Sequence, residues 1–241
     1  MKIAIMQPTF IPWLGYFRMI SEVDYFVFLD SVQFERRSWQ CRNKIKLQDK
    51  EFFISLSCQK APQTTLLKDI KLCTEAKYKD KILKTLHHAY HETYNFEKYI
   101  CFLKQKFNEY ENLSALNIAL IKQFCKDLDI KTPLVLSSNL DLAPLKREDL
   151  LLQICQYFKA THYLSPVGSK NYLEEEYSKE IFSQNNILID YFNFNHPIYQ
   201  QIGKEFIPYL SIIDFLFNIK NPKDSFNKIE REGEKREQIF I

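Results

Sequence analysis

Ile3-Ala-Ile-Met6 runs straight into Gln7-Pro-Thr-Phe-Ile-Pro-Trp-Leu-Gly-Tyr-Phe17, and a second apolar run, Tyr25-Phe-Val-Phe-Leu29, stops at Asp30. Short continuous apolar runs of this kind suit strands buried on both faces, and the helix-length segment Leu14 to Glu22 between them suits a parallel crossover. Two parallel strands release their following residues at the same sheet edge, where open α/β sheets bind ligands. The expected site therefore lies beyond Met6 and Leu29.

The rest of the chain is read outward from that pair. Glu51-Phe-Phe-Ile-Ser-Leu-Ser-Cys58 reads as another strand and Pro62-Gln-Thr-Thr65 as a loop. From about 75 to 130 the apolar spacing is helical and predicts three helices. An alternation of strand and helix then resumes. Thr132 to Leu136 is a strand, Arg147 to Phe158 a helix and His162-Tyr-Leu164 a strand. Gly168-Ser-Lys170 opens a helix to about Ser183, and Ile187 to Phe192 is a last strand. The expectation is one α/β domain over 1–241, with a mostly parallel, doubly wound, Rossmann-like sheet and a helical insert at 75–130. Gln7, Asp30, Ser57, Ser137, Ser165 and His196 stand beyond the strand ends as one rim, although turn-forming residues end strands in any protein.

The chain has 241 residues, 26% of them charged, with 33 Lys and Arg against 30 Asp and Glu. That balance gives no global preference for nucleic acid or an anionic membrane surface. Between Gln33 and Lys46, however, five cations (Arg36, Arg37, Arg42, Lys44, Lys46) face one anion, Glu35, a local +4 against +3 for the whole chain. With Trp39 and Gln40 interleaved, the segment suits a phosphate or carboxylate bound by charge-assisted bonds; a solvated charged face is the first alternative, and nucleic acid, for which the basic patch is short, the second.

Six cysteines at 41, 58, 73, 101, 125 and 155 never form Cys-x-x-Cys, which speaks against a zinc knuckle or a redox pair. With no secretory leader and no apolar stretch near the roughly 20 residues a membrane helix needs, reduced thiols in the cytoplasm are expected.

Candidate chemistry follows position. Pro8 and Pro12 stiffen the first loop, Gly15 permits a close approach, and Trp13 and Tyr16 have rings to stack on a base or sugar, or simply to plug the sheet edge. The Gln7 amide both donates and accepts. Ser165, Ser169 and Lys170 offer an anion site at a helix start, but without the upstream glycine of a phosphate loop. His196, followed by Tyr199 and Gln200, is a candidate base, with Asp30 as the other. His87, His88 and His91 lack an acidic partner, so no metal is expected. Asp214, in the apolar run from Ser211 to Asn218, is placed behind the site.

The motifs Met6-Gln-Pro-Thr-Phe-Ile-Pro-Trp-Leu-Gly-Tyr-Phe17, Asp30-Ser-Val-Gln33 through Lys44, Tyr163-Leu-Ser-Pro166, and His196-Pro-Ile-Tyr-Gln200 through Asp214 resemble the WbqC-like family of bacterial surface-polysaccharide gene clusters. The resemblance implies work on a nucleotide-linked amino sugar during O-antigen, capsule or lipopolysaccharide assembly. The expected reaction is acyl or aminoacyl transfer, with an acyl-CoA, an acyl carrier or ATP as cosubstrate. Under it, Gln33, Arg36, Arg37, Trp39, Arg42, Lys44 and Gln200 join Trp13 and Tyr16 in binding substrate, while Gln7, Asp30 and His196 carry the chemistry. A more distant similarity, of Thr9-Phe-Ile-Pro-Trp-Leu-Gly-Tyr16 to the first loop of nucleotidyltransferases and pantothenate-synthetase-like ligases, gives an alternative enzyme. Both histidines of that motif are replaced here, by Trp13 and Tyr16. A non-enzymatic scaffold of a glycan-assembly complex is the third possibility, and homo-oligomerisation is left open.

Overall fold

The computed structural model describes residues 1–229. In chain order the elements are β1 (Lys2–Met6), α1 (Leu14–Ser21), β2 (Tyr25–Phe28), β3 (Arg42–Leu47) and β4 (Lys50–Ser55). Three helices follow, α2 (Ala76–Tyr90), α3 (Phe96–Glu109) and α4 (Leu113–Asp127). The remainder is β5 (Leu134–Leu136), α5 (Arg147–Tyr157), β6 (His162–Pro166), α6 (Lys170–Leu173), α7 (Glu176–Gln184), β7 (Leu188–Phe192), α8 (Ile212–Asn218) and α9 (Pro222–Asn227).

Five of the strands form one sheet in the order β5-β2-β1-β6-β7, and every pair in it is parallel. The order reverses between β1 and β6, so a Rossmann-like switch point opens at the carboxyl ends of those strands. Alternation along β1 and β2 explains the two layers. Ala4, Phe26 and Phe28 enter a core shared with α1, α2, α3, α4 and α8, whereas Ile3, Ile5 and Val27 enter a second core with α5, α6 and α7. The parallel pairing and the three helices between 75 and 130 are as expected.

Two expectations are corrected. The strand read at 51–58 does not join the parallel sheet: β4 pairs antiparallel with β3 in a separate two-stranded sheet, so Ser57 is not on the parallel rim. The partner strand was hidden because its sequence, RNKIKL, is half cationic. Its alternation is nonetheless real, with Asn43 and Ile45 buried and Lys44 set opposite Phe53. Gln48 and Asp49 close the hairpin with φ of 52° and 56°, the left-handed pair of a two-residue turn whose twist matches the strands. The helix expected from Gly168 to Ser183 is also interrupted. Glu175 is extended (φ −64°, ψ 147°) and separates α6 from α7.

Candidate functional site

Beyond Met6 the chain makes a stiff loop whose carbonyls are held by two buried asparagines. Asn43 Nδ2 donates to the carbonyls of Phe10 (3.0 Å) and Ile11 (2.9 Å). Asn117 Nδ2 donates to those of Pro8 (3.0 Å) and Gln40 (2.8 Å). Ile11 sits at φ 38°, a region that a β-branched side chain enters only when its surroundings force it, at a cost of about 1–3 kcal/mol. The amide of Asn43, reaching across from β3, is what holds it there.

This loop and β3 enclose a pocket of about 310 Å³, the lower end of the size range for small-molecule sites. Trp13, Tyr16, Trp39 and Tyr209 give it aromatic walls, Met6 and Pro12 add apolar surface, and Thr9, Asn43 and Lys44 bring polar groups. Tyr16 is 2% exposed, and its hydroxyl donates to the Gln7 carbonyl (3.0 Å), so it closes the pocket wall as part of the core. The Gln7 side chain is fixed by Gln40, whose Nε2 donates to Gln7 Oε1 (2.8 Å). At the cationic margin, Arg42 lies over the Phe53 ring at 4.8 Å, Trp39 packs on the same ring at 6.0 Å, and Lys44 pairs with Glu51 at 2.6 Å. Arg36 and Arg37 are exposed; Arg36 donates to the Ala61 carbonyl (3.0 Å).

Trp13 joins the pocket to His196. Its ring meets Phe194 edge-on at 5.3 Å and Tyr209 at 5.5 Å, and lies nearly parallel to the His196 ring at 6.5 Å. Tyr209 meets that imidazole at 5.0 Å, and Phe206 and Tyr199 complete the cage. The Pro197 carbonyl, 2.9 Å from Nδ1, can only accept, so the proton resides on Nδ1. Nε2 is left as a buried lone pair without a hydrogen-bond partner. Burial pushes the imidazole pKa down to about 4, because a charged ring in this apolar cage would lose its hydration.

Gly15 explains how Trp13 lies so close to α1. A Cβ at position 15 would meet three atoms of the Trp13 ring at 2.2 to 2.7 Å. Gly15→Ala is expected to expel the indole from its place. Overpacking of this kind costs about 1–3 kcal/mol, and the loss is to be read as a lowered melting temperature with a red-shifted tryptophan emission. An unshifted spectrum would mean that the ring is not where it is described.

Behind the cage, Asp214 is fully buried. It accepts from Tyr90 (2.8 Å), Tyr199 (2.8 Å) and Gln201 Nε2 (2.8 Å). Burial raises its pKa to about 6, against the pull of those hydrogen bonds and of the Lys46 charge. Lys46 is 2% exposed; its ammonium reaches the Glu205 carbonyl and Asp49 at 3.0 Å, tying the hairpin to the chain that follows His196.

Other candidates fall elsewhere. Both Asp30 oxygens are occupied in joining the ends of β2 and β5. Oδ1 accepts from Ser137 Oγ (3.0 Å) and the Ser138 amide (2.9 Å), and Oδ2 from Ser138 Oγ (2.6 Å). The Ser165 and Ser169 hydroxyls bond each other and Ser169 Oγ also bonds the Pro166 carbonyl, which fixes the turn after β6, while Lys170 lies over Tyr191 at 4.7 Å. Neither they nor the exposed Gln33 and Gln200 line the pocket. Residues the sequence did not single out are Thr9, Asn43, Asn117 and Tyr209. Only the Asn of RNKIKL carried a signal, as an uncharged polar residue at an inward-facing strand position. Among the described residues no three His, Cys, Asp or Glu side chains could jointly hold a metal ion, and no helix is long and apolar enough to cross a membrane.

The model of the WbqC-like protein family matches residues 7–225. The protein of Mycobacterium tuberculosis (strain ATCC 25618 / H37Rv) named Uncharacterized protein Rv1507c is 31% identical over 221 residues, which are 90% of this chain and 94% of that protein. No solved structure matches the chain.

Proposed function

Because the chain belongs to the WbqC-like protein family, we propose that it serves in polysaccharide assembly as a transferase acting on a nucleotide-linked amino sugar, by acyl or aminoacyl transfer to the sugar amine. The observation that carries this reading is the aromatic pocket at the carboxyl end of β1, with the Lys44 ammonium, the Asn43 amide and the hydroxyls of Thr9, Tyr16 and Tyr209 among its walls. Flat apolar faces with a few convergent polar groups suit a sugar or base ring. Lys44 and Arg42 stand where a phosphate would leave it, with Arg36 and Arg37 further along the same basic segment.

On this reading Trp13 and Trp39 hold the ring, and the Gln7 amide nitrogen, which Gln40 does not engage, orients a hydroxyl or the acyl oxygen. The sugar nitrogen attacks the carbonyl of an acyl thioester, or of an acyl-adenylate formed from ATP and the amino acid with release of pyrophosphate; the thiol or AMP departs, and the ammonium proton passes to His196 Nε2. Tyr209 touches both the pocket and the imidazole, so a rotation of its ring opens the way between them. Asp30 is left with a structural task, holding β2 to β5.

The test is calorimetric titration with a panel of UDP-, GDP- and dTDP-linked amino sugars, followed by mass spectrometry of product formed with an acyl-CoA or with ATP and an amino acid. A panel member should bind, and Lys44→Ala should weaken it about 10-fold or more, the loss of one charge-assisted contact. Silence from the whole panel would overturn the proposal. Nucleotidyl transfer from ATP, seen as pyrophosphate with the nucleotide retained on the product, would replace it with the alternative enzyme.

A further inference from the structure

Away from that pocket lies a groove of about 960 Å³ between the β3–β4 hairpin and α2. Leu47, Phe52 and Ser57 line it on the hairpin side, and bordering it runs a strand edge with nothing paired to it. The Leu56 amide donates to the Cys41 carbonyl at 2.8 Å, and the register sets Ser55 against Arg42 and Ile54 against Asn43. By the alternation of an antiparallel ladder, Lys50, Phe52 and Ile54 then turn their backbone groups to β3, while Glu51, Phe53 and Ser55 turn theirs outward. Among the described residues those outward amides and carbonyls meet no backbone partner. The next outward position is paired. The Ser57 carbonyl accepts from the Cys73 amide (2.8 Å), where the chain lays Lys71 to Cys73 along the same edge and then departs into α2. The protein thus begins a third strand on this edge and leaves the six residues of β4, about 20 Å of it, open.

The opposite wall is charged. Lys77, Lys81 and Lys84 lie one turn apart on α2 and line the groove together with Glu75 and Asp80, a margin of one positive charge, and none of the three lysines has an ion-pair partner among the described residues. Phe52 and Leu47 supply an apolar floor. A strand edge facing a helix across an apolar floor is the geometry in which an extended peptide adds to a sheet, and bare edges with exposed aromatics are otherwise a liability that proteins cover.

We propose that the groove binds an extended, acidic segment of a partner polypeptide. The segment pairs antiparallel with β4 through Glu51, Phe53 and Ser55, in line with Lys71 to Cys73, and sets its carboxylates against Lys77, Lys81 and Lys84. The edge supplies main-chain hydrogen bonds, the floor takes alternate apolar side chains, and the lysines select for acid.

The probe is a fluorescent Glu-Val-Glu-Phe-Glu-Val-Glu peptide, with its Lys-for-Glu counterpart as control, titrated into the full chain. The acidic peptide should bind, the basic one should not, and amide hydrogen exchange should slow in the fragment spanning 50–57. Lys77→Glu/Lys81→Glu/Lys84→Glu should weaken binding at least 10-fold. Ser55→Pro, which removes an outward amide and no β3 bond, should do the same with its circular dichroism unchanged. Equal binding of the two peptides, or affinity indifferent to both variants, overturns the proposal. So does a dimer in sedimentation that the triple substitution dissolves while the peptide fails to bind, since the edge would then belong to a second copy.

Discussion

Asp214→Ala should lower the melting temperature by on the order of 10 °C and give the largest stability loss of any single polar substitution in the chain. The carboxylate is the common acceptor of Tyr90, Tyr199 and Gln201, so it ties α8, on which it stands, to α2 and to the segment after His196. Removing it leaves buried donors without an acceptor, each worth about 1–3 kcal/mol, and breaking a buried charged network typically costs about 3–5 kcal/mol. In a chain of this length one kcal/mol moves the midpoint by about 2–4 °C. The loss should also loosen the cage around His196, because Tyr199 both holds Asp214 and packs on the imidazole at 5.9 Å. Asp214→Asn keeps one acceptor oxygen and should lose less than half as much at pH 7. Thermal unfolding of the two variants beside the parent decides it, and an alanine variant within 2 °C of the parent would show that the network does not hold these segments together.

What could be read from the sequence and what could not divide along a physical line. β1, β2 and the crossover between them were legible because parallel strands buried on both faces are continuous apolar runs, and the loop after β1 announced itself by two prolines and its aromatic density. The hairpin was not legible, since Lys44 and Lys46 mask the alternation of Ile45 and Leu47, and Gln48-Asp49 is not a strong turn dipeptide. Trp13 and Lys44 were found as residue types suited to a ligand, and they do line one pocket. Asp30 had the same appearance but is enclosed by Ser137 and Ser138, more than a hundred positions away. A partner at that separation leaves no local mark. Tyr209 was missed for the same reason, since nothing near it in the chain points to Trp13, which it meets through the fold alone.

His196 and Asp214 should give the protein a stability that barely changes between pH 6.5 and 4 where these two groups are concerned, and replacing either should expose the other. In the unfolded chain His196 takes up its proton near 6.5, but when folded only near 4. Across that interval the unfolded state binds more protons, so this group's contribution is complete above 6.5 and disappears as the pH falls towards 4. Asp214 runs the other way: folded it is protonated near 6, unfolded near 3.8. Here the folded state binds more protons, so stability is gained on acidification and lost again as the pH rises through 6. At about 1.4 kcal/mol per unit each term is worth roughly 3 kcal/mol, and the two oppose each other in one window. Asp214→Asn, with only the histidine term left, should lose roughly 3 kcal/mol of unfolding free energy between pH 6.5 and 4 relative to the parent. His196→Phe fills the aromatic cage with an uncharged ring and should gain a similar amount. Urea unfolding at the two pH values measures both, and the other carboxylates, common to both variants, cancel in the comparison. Parallel pH dependences for the two would refute the assignment of a neutral imidazole and a protonatable carboxylate to these sites. The same pair of variants separates stability from chemistry. His196→Phe should remain folded at pH 7 yet lose transfer activity, because it deletes the Nε2 lone pair, while Asp214→Asn should keep a measurable rate.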